Sequence, residues 1–186
     1  MESALTQLIL TPGEITDLEE IMVIERASFS FPWTKGMVLS ELFENPFSFS
    51  TVVRAGDTRK IIAQVFMRLM VDELHLLNLG VHPAWRRRGL GTRLIRHVLS
   101  TAKAKEAERV ILEVRDTNHA AQALYQKTGF RRIGLRKNYY RKPKENALLF
   151  QYDLNTLHRA SDSQGQEHLE KSIELATDSC GGIKAA

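Results

Sequence analysis

Cysteine is almost absent from this 186-residue sequence, which contains a single thiol at Cys180. One cysteine cannot form an internal disulfide and is too few for a cysteine-based zinc site. The six histidines show no spacing typical of metal ligands. We therefore expect no bound metal and a reducing compartment, which predicts a cytoplasmic protein.

Long hydrophobic runs and a strong charge of one sign are also missing. No apolar stretch is long enough to span a bilayer, and the opening MESALTQLIL carries an acid where a signal peptide has a base. Lysine and arginine total 26 against 22 acidic residues, a formal net charge of +4. This mild excess favours anionic partners but is far from that of a nucleic-acid-binding tail. We expect a soluble protein that neither enters a membrane nor binds nucleic acid directly.

The length and the 43% hydrophobic content predict one compact domain with a single core. Hydrophobic periodicity and turn residues predict this order of elements: a strand over 7–11, helices from Thr16 and Thr34, three strands over 47–81, a helix from Gly91, a strand over 109–114, a helix from Asn118 to Gly129, and strands near 131–136 and 147–154. This order favours a mixed α/β architecture, with helices flanking a mixed, mostly antiparallel sheet. The sequence turns polar and irregular after Leu154, so we predict a domain over 1–154 and a loosely held tail over 155–186.

Two helix details follow from the residue spacing. Thr16 and Glu19 have the spacing of a capping box, which predicts the first turn of a helix there. The segment from Thr34 to the breaker at Asn45 is predicted as one helix whose apolar side, including Phe43, packs in the core.

The stretch VHPAWRRRGLGTRLI joins a predicted strand to a predicted helix. Unpaired amides at the start of a helix, together with the helix dipole, favour binding of phosphate. Three arginines add positive charge, and the glycines let the backbone approach a ligand closely. The alternative is a glycine turn with solvated arginines. A P-loop and a dinucleotide fingerprint are excluded because their further Lys and Gly residues are missing. The predicted phosphate-binding residues are Arg86, Arg87, Arg88, Gly89, Leu90, Gly91 and Thr92.

RRRGLG resembles the pyrophosphate-binding motif Q/R-x-x-G-x-G/A of the GNAT family of acyl-CoA N-acyltransferases. LNLGVHP before it and NHAAQALYQKTGF after it are similar to the neighbouring CoA-contacting segments of that family, and the resemblance extends from Leu8 to Leu154. It implies the GNAT fold and acetyl-CoA as co-substrate. It also implies CoA contacts from four residues outside the phosphate loop, namely Leu79, Gly80, Val81 and Asn118.

Three further segments, IERASFSFPW, LEVRDTNHAAQALYQKTGF and RKNYY, resemble one branch of the family. That branch acetylates the N-terminal alanine of a small-subunit ribosomal protein, so the resemblance implies this reaction and a ribosomal-protein acceptor. It places Phe31, Trp33, Tyr139 and Tyr140 on the acceptor side, while packing in the core is the alternative for Phe31 and Trp33. Gly80 stands where the branch more usually has alanine, a difference expected to be harmless because the backbone makes the contacts there.

Glu113 interrupts the apolar strand VILEV, where a carboxylate is costly unless it is paired or faces a wet cleft. It is therefore the candidate general base that removes a proton from the acceptor amine, and the family resemblance implies the same role. The alternative is a structural acid paired with Arg115 or Arg131.

Tyr125 follows on the next predicted helix, where its ring can pack while its hydroxyl reaches a cleft. The resemblance implies that this hydroxyl is the general acid for the departing CoA thiolate. Asn118 is predicted to cap the same helix, and this role is compatible with contacting CoA.

The resemblance leaves other functions open. Lysine side chains or small amines could be the acceptors, because the phosphate loop would be the same. A non-catalytic acyl-CoA-binding regulator would need no pairing of Glu113 with Tyr125. A basic ribosome-associated adaptor would rely on RRIGLRKNYYRKPK and bind in a salt-dependent way. Direct transfer in a ternary complex is predicted, since Cys180 lies too far from the motifs to be an acyl carrier.

Overall fold

The computed structural model of the protein describes residues 7–56 and 58–154. Four α-helices lie in these ranges: α1 (Leu18–Ser28), α2 (Lys35–Leu39), α3 (Leu90–Ala104) and α4 (His119–Lys127). The strands are β1 (Leu8–Pro12), β2 (Ser48–Ala55), β3 (Ile61–Met70), β4 (Glu73–Val81), β5 (Arg109–Arg115), β6 (Arg131–Arg141) and β7 (Lys144–Asp153). The predicted tail over 155–186 falls outside the described residues.

The seven strands form one sheet in the order β1-β2-β3-β4-β5-β7-β6. The neighbours β4 and β5 are parallel, whereas each of the other adjacent pairs is antiparallel. Helix α3 supplies the crossover between β4 and β5, as a parallel connection requires. The predicted mixed, mostly antiparallel sheet with flanking helices is therefore confirmed.

Each face of the sheet carries a separate apolar cluster. The larger cluster packs α3 and α4 against the sheet, and the smaller packs α1 and α2 against the opposite face. Strand β5 alternates between these faces, with Val110, Leu112 and Val114 buried in the larger cluster. Because side chains alternate along a strand, Glu113 projects from the opposite face, the side that carries α1 and α2.

The predicted capping box at Thr16 and Glu19 is wrong. A 3-10 turn over Ile15–Asp17 precedes α1, and the Glu14 amide donates to the Asp17 carboxylate at 3.1 Å. Asp17 also pairs with Arg54 of β2 at 2.7 Å. This tertiary contact fixes the start of the helix two residues later than local spacing indicated.

The second helix is shorter than predicted, because α2 ends at Leu39 and a different kind of turn follows it. Thr34 caps α2 as expected, with the Met37 amide 3.3 Å from its hydroxyl. A π-helical turn over Ser40–Glu44 follows, in which the Asn45 amide donates to the Ser40 carbonyl at 3.0 Å. This wider turn leaves Phe43 77% exposed, so its predicted place in the core is wrong.

Gly80 occupies a position where α1 approaches β4 closely. A Cβ atom built there would lie 2.9 Å from Ile24 Cγ2 and 3.4 Å from Gln64 Cγ. The absence of a side chain at this point therefore permits the observed distance between helix and sheet. Among the described residues no helix is both long and apolar enough to cross a membrane.

Candidate active site

Strands β4 and β5 diverge halfway along their length. They pair over four positions, from Glu73 with Arg109 to Leu76 with Leu112. Beyond this point β4 stays paired with β3 as far as Val81, while β5 stays paired with β7 as far as Arg115. The register of β3 and β4 also shifts next to Leu76, where β4 gains an extra residue. The result is an opening in the sheet, bounded by the second half of β4 on one side and by Glu113 on the other.

The glycine loop lies between β4 and α3. Gly89 has a φ of +79°, a left-handed conformation that favours glycine, and α3 begins at the next residue. The first helical bond joins the Arg93 amide to the Gly89 carbonyl at 3.0 Å. Within the described ranges, the four amides from Gly89 to Thr92 donate to no backbone carbonyl. They form the kind of unpaired helix start that binds a phosphate group.

Two of the three loop arginines contact the protein. Arg86 Nε donates to the Val81 carbonyl at 3.0 Å, which ties the loop back to the end of β4. The Arg88 guanidinium lies 5.0 Å from the centre of the Trp85 ring. Both side chains remain exposed, so their charges are accessible to an anionic ligand.

Helices α3 and α4 approach each other closely at Gly91. A Cβ atom built on Gly91 would lie 2.9 Å from Leu124 Cδ2, so the half-buried Leu124 side chain or the helix would have to move to admit it. Asn118 caps α4 as predicted, its Oδ1 accepting from the Ala121 amide at 3.1 Å. Gly129 ends the helix with a φ of +96°.

Glu113 lies on the α1 and α2 side of the opening, with 18% of its side chain exposed. Its Oε1 atom is 2.6 Å from Nη1 of Arg136. Neither predicted structural partner binds it, because Arg115 pairs with Glu145 at 3.1 Å and Arg131 pairs with Asp153. Arg136 was not among the partners expected from the sequence.

Two tyrosines follow Arg136 on the same strand. The Tyr139 hydroxyl donates to Glu113, and burial together with this negative charge raises the pKa of Tyr139, which therefore stays protonated. Tyr140 is 1% exposed, and the Arg115 guanidinium lies 3.9 Å from its ring centre. Burial is the main cause that raises the pKa of Tyr140, followed by the charge of Glu113.

Two buried polar atoms in this region lack a hydrogen-bond partner among the described residues: Arg136 Nε and Tyr140 Oη. Buried polar groups are usually satisfied, so atoms of this kind next to a candidate base indicate a place for water or for polar atoms of a substrate. The cluster around Glu113 therefore fits a polar ligand rather than a closed structural ion pair.

Tyr125 lies on the other face of the sheet and is 8% exposed. Its ring centre is 5.9 Å from that of Phe130 and 6.1 Å from that of Phe150, so the predicted packing is confirmed. Burial raises the pKa of Tyr125 to about 12. The charge it would carry on ionisation also contributes to the raised pKa of Tyr140, so the two hydroxyls interact electrostatically.

The aromatic residues of the α1–α2 loop differ in exposure. Trp33 is 2% exposed and packs against Phe66, with ring centres 5.3 Å apart. This is the core packing expected as the alternative to an acceptor role. Phe31 is 43% exposed and its ring centre lies 5.3 Å from the Arg115 guanidinium. Phe31 is therefore the loop ring that a peptide could touch. No cluster of metal-ligating side chains occurs in the described part of the chain.

Comparison with known proteins gives consistent matches. Residues 18–130 match the model of the acetyltransferase (GNAT) family. A Bacillus subtilis (strain 168) protein provisionally named ribosomal protein bS18-alanine N-acetyltransferase is 35% identical over 141 residues, 76% of this chain and 92% of that protein. The Escherichia coli (strain K12) ribosomal protein bS18-alanine N-acetyltransferase is 33% identical over 127 residues, 68% of this chain and 83% of that protein.

The crystal structure of the ribosomal-protein-S18-alanine N-acetyltransferase from Escherichia coli superimposes with a TM-score of 0.74 at 26% identity. The match covers 84% of this chain and 99% of that chain. The shared architecture therefore includes nearly the whole of the solved protein.

Proposed function

This chain belongs to the GNAT family of acetyltransferases, and we propose that it transfers acetyl from acetyl-CoA to the N-terminal α-amino group of a protein. The acceptor is the N-terminal alanine of ribosomal protein bS18, the substrate that the names of the Bacillus subtilis and Escherichia coli relatives specify. The place of action is the cytoplasm, where such an acceptor is synthesised.

The observation that carries the proposal is the position of Glu113 at the opening between β4 and β5. The loop amides of Gly89–Thr92 and the close approach of Gly91 to Leu124 suit a pyrophosphate held against α3 and α4. The acceptor peptide approaches from the face that carries α1 and α2. The two substrates thus meet in the opening without a covalent enzyme intermediate.

Glu113 deprotonates the acceptor amine. An α-amino group has an ordinary pKa of about 7.7–8.0, so much of it is charged at neutral pH and must lose a proton before it attacks. Glu113 accepts that proton through a water molecule, while Arg136 and Tyr139 fix the orientation of its carboxylate. A lysine amine, with a pKa near 10.4, is harder to deprotonate, which favours the N-terminal acceptor.

Acetyl-CoA supplies an activated thioester carbonyl to which the neutral amine nitrogen bonds as the carbon–sulfur bond breaks. The nitrogen releases its extra proton as the amide forms, and this proton passes through water to the CoA sulfur, so that the products are the amide and the free thiol. Tyr125 donates a hydrogen bond to the departing sulfur. A thiol has an ordinary pKa of about 8.5, and the pKa of Tyr125 is about 12, so complete transfer of the phenolic proton is uphill. Hydrogen-bond stabilisation of the developing thiolate is therefore the main contribution of Tyr125.

Three further groups contact the acceptor and the cofactor in this scheme. Phe31 and Tyr139 line the peptide side, while the buried Tyr140 and Trp33 support it from the core. CoA is contacted by the second half of β4, from Leu79 to Val81, and by Asn118. Arg86, Arg87 and Arg88 attract its phosphates.

The decisive experiment compares two peptides as acceptors with acetyl-CoA as donor. One begins with a free alanine and contains no lysine, and the other is N-terminally blocked and carries a lysine. We expect transfer to the free alanine, reduced roughly tenfold or more in kcat/KM by Glu113→Gln, about 1.4 kcal/mol of barrier. Transfer to the lysine peptide alone would overturn the N-terminal acceptor, and acetyl-CoA binding without transfer would favour a regulatory module.

A further inference from the structure

Glu25 of α1 is a completely buried carboxylate that receives three hydrogen bonds. Its Oε1 atom accepts from Gln64 Nε2 at 2.5 Å and from Asn78 Nδ2 at 2.8 Å. Its Oε2 atom accepts from the backbone amide of Trp33 at 2.8 Å. The carboxylate thereby joins strands β3 and β4 to the loop that follows α1.

A buried acid at this position needs a reason beyond packing, because an apolar side chain of similar volume avoids the cost of desolvation. Burial raises the pKa of Glu25, and the bonds from Trp33, Asn78 and Gln64 oppose that shift. Its Oε2 atom accepts the hydrogen bond from the Trp33 backbone amide in the loop. The group therefore fixes a backbone position in the loop as well as filling the core.

The loop segment held in this way carries Phe31. Trp33 is anchored twice, by its amide on Glu25 and by its ring against Phe66. Phe31, two residues earlier, lies over the Arg115 guanidinium, which in turn stacks on Tyr140. Glu25 is thus linked, through the Trp33 backbone and the two residues that precede it, to the contact of Phe31 with Arg115 on the proposed peptide side.

We propose that Glu25 is a positioning residue for the acceptor peptide: its carboxylate holds the Trp33 backbone so that Phe31 stays over Arg115 beside the reaction centre. The inference rests on the proposed function in so far as Phe31 touches the peptide. It assigns no chemical step to Glu25, which acts through the loop.

The test compares Glu25→Met with Glu25→Gln. The methionine side chain has similar length but offers no oxygen to Trp33. The glutamine variant keeps one oxygen for Trp33, but its amide NH2 group takes the place of Oε1, which accepts from Gln64 Nε2 and Asn78 Nδ2. Gln64 and Asn78 can accept from this group by turning their amides over, because their side-chain oxygens have no donor among the described residues. We expect Glu25→Met to raise KM for the alanine peptide roughly tenfold. Its KM for acetyl-CoA should stay within about twofold of the native value. Glu25→Gln should behave nearly as the native protein.

Two controls separate positioning from general loss of stability. Glu41→Gln alters another buried carboxylate, which binds Arg68 of β3 and Ser48 of β2 instead of the α1–α2 loop, and should leave the peptide KM unchanged. Phe31→Ala should raise the peptide KM, and adding Glu25→Met to it should cause little further change, because both act through the same ring. Equal increases in both KM values, or independent multiplication of the two effects, would overturn the proposal.

A readout independent of acetylation tests the anchoring itself. The chain has two tryptophans, so Trp85→Phe leaves Trp33 as the single tryptophan, which can be excited selectively over the four tyrosines. In that background, Glu25→Met should increase the quenching of Trp33 by acrylamide, whereas Glu25→Gln should not. If Glu25→Met fails to fold, Glu25→Asp carries the same expectation, since its shorter carboxylate withdraws from the loop. If Trp33 stays shielded from acrylamide in the folded variant, the anchoring is refuted, and this result does not depend on which acceptor the enzyme acetylates.

Discussion

The Arg136 guanidinium reaches across strand β7 to Glu113, and the two side chains meet at 2.6 Å. Glu113 lies opposite Leu149 on β7, and Leu149 in turn lies opposite Gly134 on β6. Gly134 has no side chain, and Arg136 follows two residues later on the same face. The position of the proposed base is therefore set by three adjacent strands of the sheet rather than by a mobile loop.

We expect Arg136→Gln to lower kcat/KM for the alanine peptide roughly 10- to 100-fold, about 1.4–2.7 kcal/mol. The substitution removes the charge and the hydrogen bond that orient the Glu113 carboxylate. Binding of acetyl-CoA, measured by calorimetry, should be unchanged. Arg131→Gln is the matched control, since Arg131 lies on the same strand as Arg136, is largely exposed and pairs with Asp153 of β7. Equal loss in both variants would contradict a specific role for Arg136.

Tyr125→Phe should lower kcat by the same factor, roughly tenfold or more, at every pH from about 6.5 to 9.5. The pKa of Tyr125 is raised to about 12, so the phenol keeps its proton below that value and loses it only as the pH rises through about 12. Native activity should therefore show no decline from this group within the measured range. Tyr152→Phe removes another hydroxyl from the same aromatic cluster and should leave kcat nearly native. A ratio that shrinks above pH 8 would show that the phenol ionises earlier.

Gly80→Ala should lower the free energy of unfolding by roughly 1–3 kcal/mol, the usual range for overpacking. The new Cβ atom would lie 2.9 Å from Ile24 Cγ2, and Ile24 is buried in the core, so relief of the contact requires core atoms to shift. Gly134→Ala is the matched control, because its Cβ atom would meet Leu149 at 3.9 Å, an ordinary contact. Urea unfolding of both variants measures the difference. Equal stability would show that α1 shifts at little cost.

The order of elements and the glycine loop could be predicted from the sequence because they depend on local patterns. Alternation in β5 marks Glu113 as an exception on an apolar strand, and glycine at position 89 marks the left-handed turn before α3. Thr34 and Asn118 cap the helices that they precede, as local rules require.

The partners of Glu113 and the exposure of Phe43 could not be predicted in the same way. Arg136 meets Glu113 because β7 inserts between β5 and β6, an arrangement that depends on long-range strand order. The π-helical turn that exposes Phe43 accompanies the burial of Glu41 against Arg68 of β3. Glu25 did leave a signal, since it lies at a helical interval from Leu18, Ile21 and Met22, where an apolar residue is expected.

Gly91→Ala should raise KM for acetyl-CoA several-fold and leave KM for the alanine peptide nearly unchanged. The added methyl would lie 2.9 Å from Leu124 Cδ2, and we expect part of this contact to be relieved by a shift of α3, which displaces the loop amides proposed to hold the pyrophosphate. Leu124→Ala removes the opposing atom, so the double variant should recover acetyl-CoA affinity relative to Gly91→Ala alone. Leu124→Ala by itself provides the reference, because its own loss of packing must be subtracted. A double variant as weak as Gly91→Ala would mean that the methyl group interferes with the ligand directly rather than through the helix contact.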